Sequence, residues 1–421
     1  MQLAAYGAQD IYLTGNPQIT FFKFVYKRHT NFAMESIKQT LNGNVDFGNK
    51  VYCNLDRKGD LVHKMFLEFY VSGFGEEFGF NDSICANLGS AIIDQIDLKI
   101  GGQLIDRHYG HWLEVYANLT LPITAGGFRA SIAQIDNDGS LDKSCLLFQS
   151  MSCMGGVQGN TSMYKDNTLN LFNTRTFWVP LQFWFCRHPA QALPLIALQY
   201  HEVTIDITFQ QREYCKGPGN AKLNCDLWCD YIYLDIDDRR RFAQENHQYL
   251  IEQLQFIDSK SNTRHKLNFN HPVKELIWTG GVTLSNTWQE HEDGSTGIDT
   301  TRGPSTPEEI SDTTYTLKIN GLNHFSQKER EYFTLVQIWE HHTGFGGHFV
   351  KKQKISSEES SIAVYSFALK PEEHQPSGTC NFSRIDNSYL VMGTAGPLYI
   401  YAVNYNILRI MSGMAGIVYT N

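Results

Sequence analysis

The chain has 421 residues, of which 42% are hydrophobic, 13% aromatic and only 19% charged, and its formal net charge is −9. At roughly 100–200 residues per domain, this length predicts two to four domains, and the apolar content is sufficient for large cores. The negative charge argues against affinity for nucleic acid through phosphate neutralisation. We therefore expect no direct sequence-specific binding of nucleic acid.

The cysteine content and the N-terminal sequence predict where the protein is made. Nine cysteines, an odd number without paired spacing, are expected to be reduced thiols. No basic stretch leads into an apolar run at the N-terminus, so no signal peptide is predicted. No apolar run approaches the ~20 residues that a membrane-spanning helix needs. We expect a soluble protein synthesised in the cytosol.

The first predicted element in chain order is an N-terminal arm with a short helix, over residues 1–30. Its sequence GNPQITFFKFVYKRHTNF (15–32) interleaves aromatic and basic side chains. Asn16 is suited to cap a helix and Pro17 to its first turn, which would separate an apolar from a basic face. The apolar face could cover its own domain, a neighbouring subunit or a membrane surface. The residues of this predicted assembly segment are Asn16, Pro17, Ile19, Phe21, Phe22, Lys23, Tyr26, Lys27 and Arg28.

Two-residue alternation of apolar and polar side chains dominates the rest of the chain. In HEVTIDITF (201–209), for example, every second residue from Val203 to Phe209 is apolar. Such alternation predicts half-buried strands, and the Gly, Asn, Asp and Pro clusters between them are typical of an all-β sandwich. The other stretches of this kind are KMFLEFYV (64–71), FWVPLQFWF (177–185), TYTLKIN (314–320) and LYIYAVNYNILRI (398–410).

Two short amphipathic helices, around Trp112–Leu119 and Tyr332–Trp339, belong to an internal repeat. Strand, turn and helix recur in the same order about 210–220 residues apart, a spacing longer than any solenoid repeat. The pattern therefore predicts that one whole domain is duplicated. The recurring pairs are HKMFLEF (63–69) with PVKELIW (272–278), LKIGG (98–102) with LKING (317–321), and the two helices.

The seam between the two copies is predicted within DYIYLDIDDRRRFAQENHQYLIEQLQF (230–256). We expect a linker helix over residues 237–248, capped by Asp237 or Asp238 through their carboxylates. Its three consecutive arginines are typical of a solvated, ion-paired face, with a binding patch as the alternative. Long polar loops are predicted at 123–170 and 285–312, and loops of this length in compact domains are usually functional.

The sequence predicts neither a catalytic site nor a metal or cofactor site. Glu340, His341, His342 and His348 could supply an iron site, but His341 and His342 would point to opposite sides of an extended strand. The cysteine and histidine set of Cys215, Cys225, Cys229 and His201 lacks the paired spacing of structural zinc, so its cysteines are expected to serve as small apolar residues. Four Asn-x-Ser/Thr sequons are possible glycosylation sites: Asn81, Asn118, Asn160 and Asn381.

Several long segments, in order along nearly the whole chain, resemble the double jelly-roll major capsid proteins of nucleocytoplasmic large DNA viruses. The segments that carry the resemblance are GNPQITFFKFVYKRHTNFAMES (15–36), WVPLQFWFCRHPAQALPLIALQYHEVTIDI (178–207), DYIYLDIDDRRRFAQENHQYLIEQLQ (230–255), NHPVKELIW (270–278), LKINGLNHFSQKEREYF (317–333), HQPSGTCNFSRIDN (374–387) and NYNILRIMSGMAGIVYTN (404–421).

The resemblance implies an all-β fold of two tandem eight-stranded antiparallel jelly rolls with short helices and long loops. The first jelly roll would span residues 31–236 and the second residues 249–421. The resemblance further implies a homotrimer that forms a pseudo-hexagonal capsomer, and capsomers that tile an icosahedral shell around an inner membrane.

By the same resemblance, the partners are neighbouring capsomers, minor capsid and vertex proteins, and the inner viral membrane near the N-terminal base. The location is the virion capsid, with synthesis and assembly in the host cytoplasm. Two alternatives remain open at this point: a carbohydrate-binding double jelly roll, and a cupin-like iron enzyme that uses Glu340, His341 and His348.

Overall fold

The computed structural model describes most of the chain. The described residues are 7–72, 88–121, 147–154, 174–215, 221–280, 314–344, 346, 348–350, 358–360 and 362–420. The predicted loop 285–312 and most of the predicted loop 123–170 lie outside these residues.

The first half forms two facing antiparallel sheets. One has the strand order β1-β9-β3-β6, with β7 paired to β3, and the other has the order β2-β8-β4-β5. The strands are β1 (Phe32–Gln39), β2 (Lys50–Asn54), β3 (Leu61–Ser72), β4 (Ile93–Ile100), β5 (Gln103–Tyr109), β6 (Thr174–Pro180), β7 (Leu193–Pro194), β8 (Val203–Phe209) and β9 (Lys222–Leu234).

The second half repeats this arrangement with two very long strands. Strand β10 runs from the first sheet into the second, with register shifts between Ser259 and Arg264, and β19 pairs with it along both parts. The strands are β10 (His247–Lys266), β11 (Pro272–Gly280), β12 (Thr314–Ile319), β13 (Leu322–Asn323), β14 (Lys328–Glu329), β15 (His348–Val350), β16 (Glu358–Ser360), β17 (Ile362–Ser366), β18 (Cys380–Asn381), β19 (Ser388–Met411) and β20 (Met414–Ile417).

Strand pairing shows that the two halves share one topology. The N-terminal part of β10, the C-terminal part of β19, β11 and β17 take the places of β1, β9, β3 and β6. The C-terminal part of β10, the N-terminal part of β19, β12 and β13 take those of β2, β8, β4 and β5. Each half is thus an eight-stranded jelly roll, and the predicted fold class is confirmed.

The hairpin turn in each half has the same backbone conformation. Gly101 and Gly102 have φ of 58° and 81° between β4 and β5, and Asn320 and Gly321 have φ of 49° and 82° between β12 and β13. Two consecutive positive φ angles define the type I′ turn, which Gly and Asn favour. The duplicated Lys-Ile-x-Gly sequence therefore encodes a duplicated turn.

Alternating burial builds a core in each jelly roll, and the first core also takes in Ile251, Leu408, Ile410 and Ala415 of the second half. Met65, Leu67, Phe69 and Val71 on β3 are all buried, as the alternation predicts. The first core gathers these with the inward residues of β4, β8 and β9, and the second core gathers Trp278, Tyr315 and their neighbours.

The helices of the described chain are short. Helix α3 confirms the first predicted helix, and a π-helical turn (Tyr332–Val336) followed by α7 takes the place of the second. The α-helices are α1 (Ile11–Thr14), α2 (Leu88–Ala91), α3 (Gly110–Thr120), α4 (Leu147–Ser152), α5 (Trp184–Arg187), α6 (Ile236–Gln244) and α7 (Gln337–His341), and 3₁₀ turns span Pro189–Gln191, Leu195–Ala197 and Phe382–Arg384.

Two predicted elements need correction. The strand predicted over 177–185 ends at Pro180, and the chain turns into α5; proline has no N–H to continue a ladder. The linker helix predicted over 237–248 is α6, which is shorter. The side chain of Asp235, not of Asp237 or Asp238, accepts a hydrogen bond at its N-terminus. Asp237 and Asp238 lie in the first turn, where their negative charge interacts favourably with the helix dipole and stabilises the helix.

Candidate assembly surfaces

The two jelly rolls are joined where α3 of the first lies on the outer face of a sheet of the second. Trp112, Val115 and Leu119 on α3 share a buried apolar cluster with residues of β11, β17 and β19. The ring centroid of Trp112 lies 5.1 Å from that of Tyr401. The ring of Phe256 stacks on that of Tyr401, with centroids 4.9 Å apart. We call this contact the inter-barrel joint.

Polar groups fix the register of the inter-barrel joint. His111 Nδ1 and the Tyr401 hydroxyl are 2.7 Å apart, and burial lowers the pKa of His111 to about 3. His111 is therefore neutral at physiological pH. The N–H of Leu254 donates to the carboxylate of Asp106 at 3.0 Å, which ties β10 to the middle of β5.

A buried network of charges adjoins the joint. Arg187, from the first jelly roll, lies 2.5 Å from Glu252 of the second, and Lys274 Nζ lies 2.8 Å from the same carboxylate. Lys274 also donates to the carbonyl of Pro371, and Arg187 lies over the ring of Tyr116. Burial alone would raise the pKa of Glu252, but Lys274 and Arg187 outweigh it and hold the pKa below its usual value.

A second ion pair in this network centres on His342. Its Nε2 lies 3.2 Å from Glu275 and its Nδ1 lies 3.0 Å from Glu372. Burial would lower the pKa of His342, but the two carboxylates outweigh that effect and raise it to about 9. His342 is therefore charged at neutral pH.

The network lines a cavity of about 450 Å³ between the jelly rolls. His188 of the first jelly roll and His374 of the second stack at its edge, with ring centroids 5.1 Å apart. The ring of His188 accepts a hydrogen bond from the N–H of Ala190, and burial and His188 lower the pKa of His374. The cavity is thus walled by both jelly rolls and belongs to their junction.

The residues just after α7 bind the C-terminal end of α3. The N–H of Gly344 donates to the carbonyl of Leu119 at 2.7 Å, and that of Gly346 donates to the carbonyl of Asn118 at 3.0 Å. The N-terminal arm enters β1 at Phe32, which pairs with Leu234 at the end of β9. The described chain therefore brings the C-terminal ends of α3 and α7 together, while the arm continues into β1.

The predicted helix in the arm is wrong. Only Ile11–Thr14 is α-helical, and Asn16 has a left-handed φ of 51° instead of capping a helix. The following residues, 17–31, run without regular structure and are exposed. The predicted assembly residues Asn16, Pro17, Ile19, Phe21, Phe22, Lys23, Tyr26, Lys27 and Arg28 are all exposed.

The four sequons differ in their surroundings. Asn118 is buried in α3 and its side-chain amide donates to the backbone carbonyl of Glu114, so the predicted glycosylation there is wrong because a glycan has no space. Asn381 is exposed, near the start of β11. Asn81 and Asn160 lie outside the described residues.

The histidine and cysteine sets are structural in their surroundings. His341 and His342 end a helix, not an extended strand as predicted, and His342 is held by two carboxylates. Cys215, Cys225 and Cys229 are buried, as predicted for small apolar residues, and burial raises the pKa of each thiol. In the described part of the chain no group of three His, Cys, Asp or Glu side chains could hold a metal ion, and no helix is long and apolar enough to cross a bilayer.

Sequence reasoning missed the charged network, although a signal was visible. Lys274 and Glu275 stand together in the otherwise apolar strand PVKELIW. Adjacent charges in a buried strand need partners, since an unpaired buried charge is costly. Their partners Glu252 and His342 are 22 and 67 residues away in the sequence, and no local pattern identifies them.

Comparisons with known proteins cover nearly the whole chain. The sequence model described as "Major capsid protein N-terminus" matches residues 20–235, and that described as "Large eukaryotic DNA virus major capsid protein" matches residues 238–416. The chain is 45% identical to the major capsid protein of Pyramimonas orientalis virus, over 100% of this chain and 99% of the relative. It is 37% identical to that of Paramecium bursaria Chlorella virus 1, with the same coverage.

Solved structures agree. The PBCV-1 virus capsid structure matches with a TM-score of 0.74 and 33% identity, covering 96% of this chain and 100% of that one. The Faustovirus major capsid protein matches with a TM-score of 0.60 at 13% identity, covering 96% of this chain and 94% of that one, a likeness of fold alone.

Proposed function

The chain belongs to the major capsid protein family of large eukaryotic DNA viruses, and from this premise we propose that three copies form a pseudo-hexagonal capsomer that tiles an icosahedral shell. The observation that carries the proposal is the duplication. Two jelly rolls of one topology in each chain give six similar barrels in a trimer. Such a ring can fill a six-fold position in a lattice, and its role is structural, without catalysis.

The proposed location is the virion capsid, with synthesis and assembly in the host cytoplasm. The arm would contact the base of neighbouring capsomers, minor capsid or vertex proteins, or the inner membrane. This proposed role of the arm is supported by its exposed aromatic side chains beside Lys23, Lys27 and Arg28. Such a composition suits apolar surfaces that carry negative charge. Exposed Asn381 is the described sequon at which a glycan would fit.

The alternative of a carbohydrate-binding protein gains no support from the relatives, which are named as capsid proteins. The proposal is tested by sedimentation velocity of the purified protein with electron microscopy of the same sample. We expect a trimer that appears as a six-lobed ring. A stable monomer across micromolar concentrations would overturn it.

A further inference from the structure

The internal duplication has left two surfaces without the partner that their counterparts have within the chain. In the inter-barrel joint, α3 of the first jelly roll covers the outer face of the β10-β19-β11-β17 sheet of the second. The second jelly roll has its own copy of that helix, and the first has its own copy of that sheet face. Neither copy is covered within the described chain.

The helix copy shows the difference in exposure. A helical run from residue 330 to 341 corresponds to α3 at an offset of about 220. Val115 and Leu119 on α3 are 0% and 1% exposed, whereas Leu335 and Trp339 at the corresponding positions are 40% and 84% exposed. Val336, which corresponds to Tyr116, is also exposed. We call Leu335, Val336 and Trp339 the free helix face.

The sheet copy is identified by strand register. In the joint, Ile277 on β11 pairs with Val364 on β17 and with Tyr401 on β19. In the first jelly roll, Glu68 on β3 holds the same position and pairs with Trp178 on β6 and Asp226 on β9. Around Glu68 this face carries aromatic side chains that are half-buried or exposed, whereas the corresponding residues of the second jelly roll, Glu275, Thr279, Val364 and Val403, are buried. We call Phe66, Tyr70, Trp178 and Trp228 the free sheet face.

The free sheet face is chemically prepared for burial. The carboxylate of Glu68 accepts a hydrogen bond from the indole N–H of Trp228 at 2.6 Å, and Lys38 Nζ lies 2.6 Å from Asp226. Because these polar groups already have partners, a second copy that covers the aromatic rings would not bury them unpaired. Aromatic side chains are also enriched at the energetic centres of protein interfaces.

We propose that the free helix face of one copy binds the free sheet face of a second copy, so that the joint between copies repeats the joint within the chain. A contact between two different faces is heterologous and can close into a ring. With two jelly rolls per chain, three copies would form six repeated joints, three within chains and three between them. The inference deepens the proposed trimer, since it assigns the surfaces that hold it.

The first test is sedimentation velocity of Trp339→Glu and Trp178→Glu, with Phe21→Glu as the matched control on the arm. We expect each joint variant to weaken trimerisation at least a hundredfold and to sediment as a folded monomer with unchanged far-UV circular dichroism. The control should remain a trimer. If the wild type is trimeric and both joint variants retain its affinity, this assignment is overturned while the trimer stands. A monomeric wild type would instead refute the proposed trimer.

The second test does not depend on loss of assembly. Residues 178 and 339 correspond to Val364 and Leu119, which share one cluster in the inter-barrel joint. The double variant Trp178→Cys/Trp339→Cys, treated with a short bismaleimide, should therefore give covalently linked dimers and trimers on a denaturing gel. Each single variant should remain at the wild-type background. A double variant whose trimer is intact but does not cross-link would contradict the proposed register.

Discussion

The indole ring of Trp112 lies 5.1 Å from the phenol ring of Tyr401, and this contact joins two jelly rolls that each have a core of their own. The two residues are 289 positions apart in the sequence and belong to different copies of the duplication. The joint is aromatic on both sides, because Phe256 stacks on Tyr401 and Tyr109 lies 4.8 Å from Phe256. It is therefore built as a packed core and not as a flexible linker.

Replacing Trp112 with alanine should destabilise the protein strongly. Truncation of a buried Trp typically costs about 3–5 kcal/mol, through lost apolar burial and the cavity that remains. Because the loss falls on the joint, we expect the two jelly rolls to unfold in separate transitions during chemical denaturation. The control is Phe22→Ala, since Phe22 is 97% exposed and should change the unfolding free energy by less than about 0.5 kcal/mol. A single transition at the wild-type midpoint for Trp112→Ala would contradict this account.

The charge on His342 should make stability fall at alkaline pH. Its pKa is raised from 6.5 to about 9 in the folded protein, so its contribution is complete below about pH 6.5 and is lost as pH rises through about 9. A shift of this size corresponds to ~3 kcal/mol. The lowered pKa of Glu252 and Glu275 acts in the opposite sense, and their contribution is lost as pH falls below their ordinary value of 4.5.

The measurement is urea denaturation between pH 6 and pH 10. His342→Gln should be less stable than the wild type at pH 7, because Glu275 and Glu372 lose their cationic partner, and its stability should change little up to pH 10. His29→Gln, on the exposed arm, should keep the wild-type alkaline loss. If His342→Gln and the wild type lost stability in parallel above pH 8, another group would have to carry the effect.

The duplicated turns should respond alike to substitution. Gly102 and Gly321 have φ of 81° and 82°, and an added Cβ at either would meet no neighbouring atom within 4 Å. Only the backbone conformation then opposes a side chain, so Gly102→Ala and Gly321→Ala should each cost about 1–2 kcal/mol. Asparagine should cost less at both positions because it tolerates left-handed φ. Calorimetry of the four variants measures these losses of stability. If alanine cost nothing at one of the two turns, the turns would not be equivalent.

The fold was accessible from the sequence where local pattern and burial coincide. Alternation along KMFLEFYV and HEVTIDITF placed the inward residues of β3 and β8 correctly, because a strand exposes every second side chain to one sheet face. The repeat of Lys-Ile-x-Gly predicts the duplication from the sequence alone. The alternation is visible within a single strand, and the duplication is visible when two segments of the chain are compared.

The assembly surfaces were less accessible because their partners are distant. The pattern around Trp112 predicted a helix with one apolar face, but nothing local indicated that this face lies on another domain. In the arm, Ile19, Phe22 and Tyr26 fit a helical spacing, yet an isolated short helix is unstable unless packing supports it. Among the described residues, the aromatic side chains of the arm remain exposed, so no packing supports a helix there.

Removing the arm should separate folding from assembly. None of the described residues 7–31 is buried, so deletion of residues 1–28 should leave the unfolding free energy within about 0.5 kcal/mol of the wild type and leave the trimer intact. Growth of shells from capsomers, in cells that express the other virion proteins, should be lost and is measured by electron microscopy.

Two further variants identify the contact that the arm makes. Phe21→Ser/Phe22→Ser/Tyr26→Ser removes aromatic groups, and Lys23→Gln/Lys27→Gln/Arg28→Gln removes charge. Flotation of the purified trimer with anionic vesicles should depend on both sets if the arm binds the membrane. If flotation is absent but shell growth fails in the aromatic variant, the arm binds protein, and normal shells from the deleted chain would refute an assembly role for the arm altogether.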